Sequence, residues 1–84
     1  MDDRPVMWMV DRGRGAWQEL TKWEVDSFET ALKLGHDTVT YTIPWKPRNS
    51  QETIYTGYTV DVIQKTQTND DTGFVRKLMR IEHS

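Results

Sequence analysis

Apolar and polar side chains alternate over much of this chain, and the alternation is already present in its first 20 residues. Residues 6–10 and 16–20 are short stretches of strand character, separated by the glycine- and arginine-containing segment 11–15. Two such stretches on either side of a turn-forming segment are typical of a β-hairpin. The pattern therefore predicts two antiparallel strands in this region.

The spacing of the apolar residues changes after residue 20. Between residues 25 and 32 the apolar side chains recur at steps of three and four, which predicts an amphipathic helix. Asp26 or Ser27 is available as the N-cap, and Gly35 is placed to end the helix. We expect this helix over residues 26–34.

Alternation with period two returns after the helix. Three further strands are expected, over residues 38–43, over residues 55–63 with a continuation to residue 67, and over residues 74–81. Two prolines at 44–51 predict an exposed loop, and an Asn- and Asp-rich run at 68–73 predicts a turn. The order β-β-α-β-β-β predicts an α+β domain, in which one helix covers a strongly curved antiparallel sheet of about five or six strands.

Composition narrows the class of protein. The chain has 84 residues, 36% of them hydrophobic, which predicts a single domain with its core within about residues 6–82. The nine aromatic residues (four Trp, three Tyr and two Phe) are expected to supply most of that core. A formal net charge of -2 argues against a DNA-binding protein. The absence of cysteine, of a signal sequence and of a long apolar run favours the nucleus or cytoplasm, with no membrane partner.

The sequence offers little for catalysis or metal binding. The two histidines, His36 and His83, lie far apart, and no Ser/His/Asp arrangement is suggested by their spacing. Two distant histidines without cysteine do not make a metal-binding set. Residues 12–15, Arg-Gly-Arg-Gly, match neither of the common phosphate-loop patterns, so a hairpin turn is the better interpretation. We expect no catalytic residue, no metal and no cofactor.

A basic cluster on the last predicted strand has two interpretations. Arg76, Lys77 and Arg80 lie close together in an otherwise acidic chain, and charged side chains often protect a sheet edge from aggregation. Alternation along the strand, however, places Arg76 on the side of Phe74 and Leu78, opposite to Lys77. A guanidinium group in such a partly apolar concavity suits a bidentate anion, for which phosphate is the natural candidate.

Residues at widely spaced positions match one known family. They are Trp8, Trp17, Phe28-Glu29-Thr30-Ala31, Gly35, Tyr58-Thr59-Val60-Asp61, Gln67-Thr68-Asn69, Thr72-Gly73, Arg76 and Arg80. Together they resemble the WWE domain, a family named for two tryptophans and a glutamate. The most specific part is its closing stretch, Tyr-x-Val-Asp followed by Gln-x-Asn-x-x-Thr-Gly-x-x-Arg.

The resemblance implies a half-barrel of antiparallel strands on one helix. WWE domains occur in ubiquitin ligases and ADP-ribosyltransferases, and several bind poly(ADP-ribose), through its internal iso-ADP-ribose unit, or terminal ADP-ribose. A tyrosine, a glutamine and an arginine hold the ligand in this family, and Tyr58, Gln67 and Arg76 stand at those positions. What the resemblance implies is thus a non-catalytic recognition module for ADP-ribose units, in a parent protein that could be such a ligase or transferase.

Each of these residues also has a structural interpretation. Tyr58 could belong to the core, Gln67 could cap the following turn, and Arg76 could pair with Asp61. The two tryptophans of the family pattern are expected to pack against the barrel and helix, and its glutamate to bind a nearby donor. These residues with structural roles are Trp8, Trp17 and Glu29.

Departures from the family pattern favour an alternative function. Met9 stands near the position where known polymer binders carry a pocket tyrosine. The turn near the carboxyl end carries Asp70 and Asp71, which would repel a diphosphate if they faced it, and the loop over residues 44–53 is longer than usual. The alternative is a protein–protein interaction module that keeps the fold but has lost ligand binding, with Trp45 as its contact.

Overall fold

A curled sheet of antiparallel strands is the largest structural unit of the protein. The computed structural model describes residues 6–82, and the predicted features at residues 1–5 and at His83 lie outside this range. Its elements are β1 (Met7–Asp11), β2 (Trp17–Glu19), α1 (Lys22–Leu34), β3 (Thr38–Trp45), β4 (Ile54–Asp61), β5 (Thr66–Asn69) and β6 (Val75–Ile81). Within this range the six strands pair antiparallel in the order β2-β1-β6-β5-β4-β3. The predicted α+β class, with one helix on an antiparallel half-barrel, is confirmed.

Helix α1 begins four residues earlier than the sequence pattern predicted. Its N-cap is Thr21, whose backbone N–H and hydroxyl both donate to Oε1 of Glu24, at 3.2 and 2.8 Å. The prediction of Asp26 or Ser27 as the cap is therefore wrong. The Thr-x-x-Glu capping signature lies before the first apolar residue of the helical pattern, whereas Asp26 and Ser27 lie within that pattern. The predicted stop at Gly35 is confirmed: this residue adopts φ 80°, a conformation that costs glycine little.

Strand β3 extends further than predicted. Pro44 and Trp45, assigned to the loop from their sequence, lie opposite Tyr55 and Ile54 in a continuous ladder. A proline is tolerated there because β3 is an edge strand, on which a missing N–H need not break a ladder hydrogen bond. The connection between β3 and β4 is thereby shortened to residues 46–53.

The strand predicted to run from residue 55 to residue 67 is two strands. Strand β4 ends at Asp61, whose Oδ1 accepts backbone hydrogen bonds from Ile63 and Gln64 at 3.0 and 2.8 Å. Lys65 then adopts φ 59° and donates its N–H to the Asp61 carbonyl at 2.8 Å, and β5 returns antiparallel to β4. The continuation was predicted wrongly because the turn begins with the β-branched Val62 and Ile63, which are typical of strands, while the group that stabilises the turn is the Asp61 carboxylate.

The core lies between α1 and one half of the concave face of the sheet. Trp8 and Phe28 meet edge to face at its centre, with ring centroids 5.1 Å apart. Trp17, expected to pack with them, instead lies on β2 with 39% of its surface exposed. The core residues are Trp8, Val10, Phe28, Ala31, Val60, Val62 and Leu78. No helix among residues 6–82 is long and apolar enough to cross a membrane.

Candidate ligand-binding site

An open cavity of about 620 Å³ lies on the part of the concave face next to the core. Its volume is in the range of ordinary small-molecule sites. The residues that line it are Arg12, Tyr58, Gln67, Asn69, Thr72, Gly73, Phe74 and Arg76. The structure thus places the three sequence-predicted ligand residues around one cavity, and none of its lining residues is acidic.

The strand register explains why these side chains meet. Gln67 of β5 lies opposite Arg76 of β6, and Tyr58 of β4 lies opposite Asn69 of β5. Cross-strand partners point to the same face of a sheet, and so do residues two apart on one strand. Tyr58, Gln67 and Arg76 therefore share the concave face, although 18 positions separate the first from the last.

Arg76 keeps most of its hydrogen-bonding capacity for a ligand. Its Nη1 donates to the Asp11 carbonyl at 3.1 Å, and its guanidinium carbon lies 4.9 Å from the centre of the Phe74 ring. The suggested pairing with Asp61 does not occur, because the Asp61 carboxylate accepts backbone hydrogen bonds in its own turn. No carboxylate among residues 6–82 forms an ion pair with Arg76. An anion could therefore use several of its N–H donors.

Gln67 is held in place by a chain of buried hydrogen bonds. Only 6% of the residue is exposed, and its Nε2 donates to the Tyr41 hydroxyl at 2.7 Å. That hydroxyl donates in turn to Oε2 of the buried Glu24 at 2.8 Å. Gln67 therefore does not cap the turn that follows it. Its Oε1 accepts no hydrogen bond from the described residues and remains available to a ligand.

Tyr41, at the centre of this chain of hydrogen bonds, is kept neutral mainly by burial. Burial and then the hydrogen bond to Glu24 raise the pKa of the Tyr41 hydroxyl well above its ordinary value of 10.0. A neutral hydroxyl can accept from Gln67 and donate to Glu24 at once. The direction of the Gln67 amide is therefore fixed by residues of β3 and α1 that lie outside the cavity lining.

Tyr58 stands between the core and the cavity. It is half-buried, its ring lies 5.8 Å from that of Tyr41, and it is not a member of the core cluster. Its hydroxyl has no hydrogen-bond partner in the described part of the chain. The side chain therefore presents both an aromatic ring and a free hydroxyl to the cavity.

The turn between β5 and β6 forms one wall. Oδ1 of Asn69 accepts from the backbone of Asp71 and Thr72 at 2.9 and 3.1 Å, and the Thr72 hydroxyl accepts from the Phe74 N–H at 3.2 Å. Gly73, at φ 75°, provides the left-handed conformation that this turn requires. The wall ends in the Phe74 ring, which is 59% exposed and flanks the guanidinium group of Arg76.

The two acidic residues of this turn do not line the cavity. Oδ1 of Asp70 accepts from the Thr59 hydroxyl at 2.8 Å, on the face of β4 opposite to Tyr58. Gly57 leaves room for it, because a Cβ at that position would lie 3.0 Å from Oδ2 of Asp70. Asp71 is exposed and outside the lining. The repulsion suspected from the sequence therefore has no source in the cavity wall.

Sequence reasoning missed Arg12 as a site residue. The β1–β6 register, which places Val10 opposite Leu78, brings Arg12 beside Arg76 just beyond the end of the ladder. Its Nε donates to Oε1 of Gln18 at 2.6 Å, and its exposed guanidinium group lines the cavity. No local motif marks this position, since only the pairing of β1 with β6 makes the two arginines neighbours.

The residues assigned to structure lie elsewhere. The Glu29 carboxylate accepts from Nε1 of the fully buried Trp8 at 2.7 Å and from Arg80, and none of the three lines the cavity. Met9 is on the face of β1 opposite to Trp8 and is also absent from the lining. Met9 therefore makes no contact to this cavity.

No protein-family model matches this chain, and no curated protein matches it either. Residues 6–82 contain no group of three or more side chains that could hold a metal ion. The cavity presents two guanidinium groups, two amides, hydroxyls and aromatic rings.

Proposed function

We propose that this domain is a non-catalytic recognition module that binds ADP-ribose units, either the iso-ADP-ribose unit inside poly(ADP-ribose) or a terminal ADP-ribose. The observation that supports this most is the pair of guanidinium groups, Arg12 and Arg76, in one cavity with no lining carboxylate. Two neighbouring cations repel each other, and an anion bound between them relieves that repulsion. A diphosphate provides two anionic groups in the same ligand.

The remaining groups suit the other parts of such a ligand. The rings of Tyr58 and Phe74 provide apolar faces for an adenine base. Oε1 of Gln67 and the amide of Asn69 suit ribose hydroxyls or the polar edge of the base. These assignments agree with the WWE resemblance, which independently attributes ligand contacts to Tyr58, Gln67 and Arg76.

The resemblance also suggests a biological setting. WWE domains accompany ubiquitin ligase and ADP-ribosyltransferase domains, so we propose a parent protein of one of these kinds, in the nucleus or cytoplasm. In that setting the domain would carry its parent to ADP-ribosylated proteins. Any catalytic activity would then belong to another domain of the parent.

The test is titration calorimetry of the domain with iso-ADP-ribose, ADP-ribose and ATP. We expect one ADP-ribose species to bind, and Arg76→Ala to lower its affinity by about tenfold or more, because a hydrogen bond to a charged group contributes about 1.5–3 kcal/mol. Lys77→Ala is the matched control, since Lys77 is the next residue on β6, exposed and on the opposite face. Circular dichroism would establish that both variants fold. Equal affinities of the two variants would contradict the assignment of Arg76.

The alternative is a protein–protein interaction module without a ligand. It is favoured by exposed apolar residues at the far end of the β3–β4 hairpin, where Trp45, Ile54 and Tyr55 are 49%, 40% and 64% exposed. Failure of the folded domain to bind any of the three compounds would contradict recognition of ADP-ribose and leave this alternative.

A further inference from the structure

A second concavity, of about 390 Å³, adjoins the cavity described above. It is lined by Arg12, Ile43, Trp45, Thr56, Tyr58 and Asn69. Three of these residues, Arg12, Tyr58 and Asn69, also line the first cavity. The two concavities therefore form one groove, which continues from Arg76 past Tyr58 to Trp45 along the concave face of the β3–β4 hairpin.

Trp45 forms the far end of this groove in a fixed orientation. Its Nε1 donates to the Thr56 hydroxyl at 2.8 Å, across the β3–β4 pair. The register places Trp45 opposite Ile54 and Ile43 opposite Thr56, so these side chains share the face that carries Tyr58. With its one polar atom satisfied and 49% of its surface exposed, the indole ring offers a preorganised apolar surface for stacking.

The charge of the groove indicates what it would hold. Neither concavity has an acidic lining residue, and Arg12 lies where the two meet. Lys46 and Arg48, both exposed, follow Trp45 in the loop. A groove that combines cations with aromatic faces suits a polymer of sugars that carry bases and are linked through phosphates, since every base can stack and every phosphate can meet a cation.

We propose that the groove binds two successive units of a poly(ADP-ribose) chain, with the unit beyond the first stacking a base or sugar on Trp45. This inference rests on the proposed function, because it extends the same site. The first cavity already has the volume of an ordinary small-molecule site, and Ile43, Trp45 and Thr56 of the second concavity lie outside its lining. The domain would then prefer a segment of the polymer to an isolated unit.

The experiment compares iso-ADP-ribose with a purified ADP-ribose oligomer of two or three units, titrated into the domain and into Trp45→Ala. We expect the oligomer to bind the unaltered domain at least about fivefold more tightly, with one domain per oligomer, because stacking of one base contributes about 1–3 kcal/mol. Trp45→Ala should remove that gain and leave the affinity for iso-ADP-ribose within about twofold.

Two further variants make the comparison specific. Tyr55→Ala is the matched control: Tyr55 is 64% exposed on the same hairpin, next to Ile54, and points to the opposite face. It should keep the full preference for the oligomer. Trp45→Phe retains an aromatic ring and should keep part of the preference, which provides a readout even if Trp45→Ala fails to fold.

The outcomes separate this inference from the proposed function. If iso-ADP-ribose binds but the oligomer gains nothing, or if Trp45→Ala and Trp45→Phe keep the whole gain, the second subsite is wrong and the first stands. If neither compound binds the folded domain, both proposals are overturned. Loss of a protein partner in Trp45→Ala, with the preference for the oligomer intact, would instead assign Trp45 to a protein interface.

Discussion

The guanidinium group of Arg80 binds both oxygens of the Glu29 carboxylate, with Nε 2.9 Å from Oε2 and Nη2 2.7 Å from Oε1. The same Oε2 accepts from Nε1 of Trp8 at 2.7 Å. Glu29 lies on α1, Trp8 on β1 and Arg80 on β6, so one carboxylate joins the helix to two neighbouring strands. This contact fixes the position of the helix on the sheet.

Removing the Glu29 carboxylate should destabilise the fold rather than act on the ligand cavity. Glu29→Ala leaves the buried indole N–H of Trp8 without its acceptor, and we expect the free energy of unfolding to fall by about 1–3 kcal/mol. Urea denaturation measures this change. Glu82→Ala is the control, because Glu82 makes one contact to the same Arg80 from an exposed position. Equal losses from the two variants would contradict the central role of Glu29.

The stability of the domain should depend on pH through Glu29. The hydrogen bond from Arg80, assisted by that from Trp8, lowers the pKa of Glu29 below its ordinary value of 4.5. The carboxylate therefore stabilises the folded state above about pH 4.5, and this contribution is lost as the pH falls through the lower pKa of the folded state. Denaturation at a series of acidic pH values should show a smaller loss for Glu29→Gln than for the unaltered domain. Identical pH profiles would show that Glu29 does not titrate in this way.

Tyr41 should affect ligand binding without contacting the ligand. Tyr41→Phe removes the hydroxyl that accepts from Gln67 and donates to Glu24, which leaves Nε2 of Gln67 and Oε2 of Glu24 without a partner, while Oε1 of Glu24 keeps its bonds from Thr21. We expect a loss of about 1–3 kcal/mol in unfolding free energy and weaker binding of the ADP-ribose species, because the Gln67 amide is no longer held. Calorimetry and thermal denaturation measure the two effects. Tyr55→Phe, on an exposed side chain, should change neither.

Arg12 should contribute to affinity by its charge. Arg12→Gln removes one of the two cations of the cavity, and we expect about tenfold weaker binding and a smaller dependence of affinity on salt. Arg14→Gln is the control, because Arg14 lies in the same turn but outside the cavity lining. Titrations at low and high ionic strength provide the measurement. Similar losses in both variants would indicate a general effect of surface charge instead of a contact in the cavity.

Local patterns were sufficient for most of the fold. Alternation with period two is visible in the sequence because side chains of a half-buried strand face water and core in turn. The errors occurred where one side chain outweighs the pattern: the Glu24 carboxylate starts the helix early, and the Asp61 carboxylate turns the chain inside an apparently continuous strand. At Pro44 the error was of the opposite kind: the proline predicted a loop, but β3 continues through it because an edge strand tolerates proline.

Only some residues of the candidate site could be predicted from the sequence. The family resemblance indicated Tyr58, Gln67 and Arg76, and strand register places all three on one face. The same register adds Arg12, and the network behind Gln67 adds Tyr41. Neither addition has a local signal, because the partners are 64 and 26 positions apart in the chain.

The sequence by itself determined the class of fold, the presence of one helix and most of its strands, and a short set of candidate site residues, because these depend on periodicity and on neighbouring residues. Only the tertiary structure decided that Arg12 and Arg76 line the same cavity, that Asp70 lies outside that cavity, and that Trp45 lines the adjoining concavity. The physical reason is that antiparallel pairing brings distant segments side by side, and a one-residue change in register would reverse which side chains share a face.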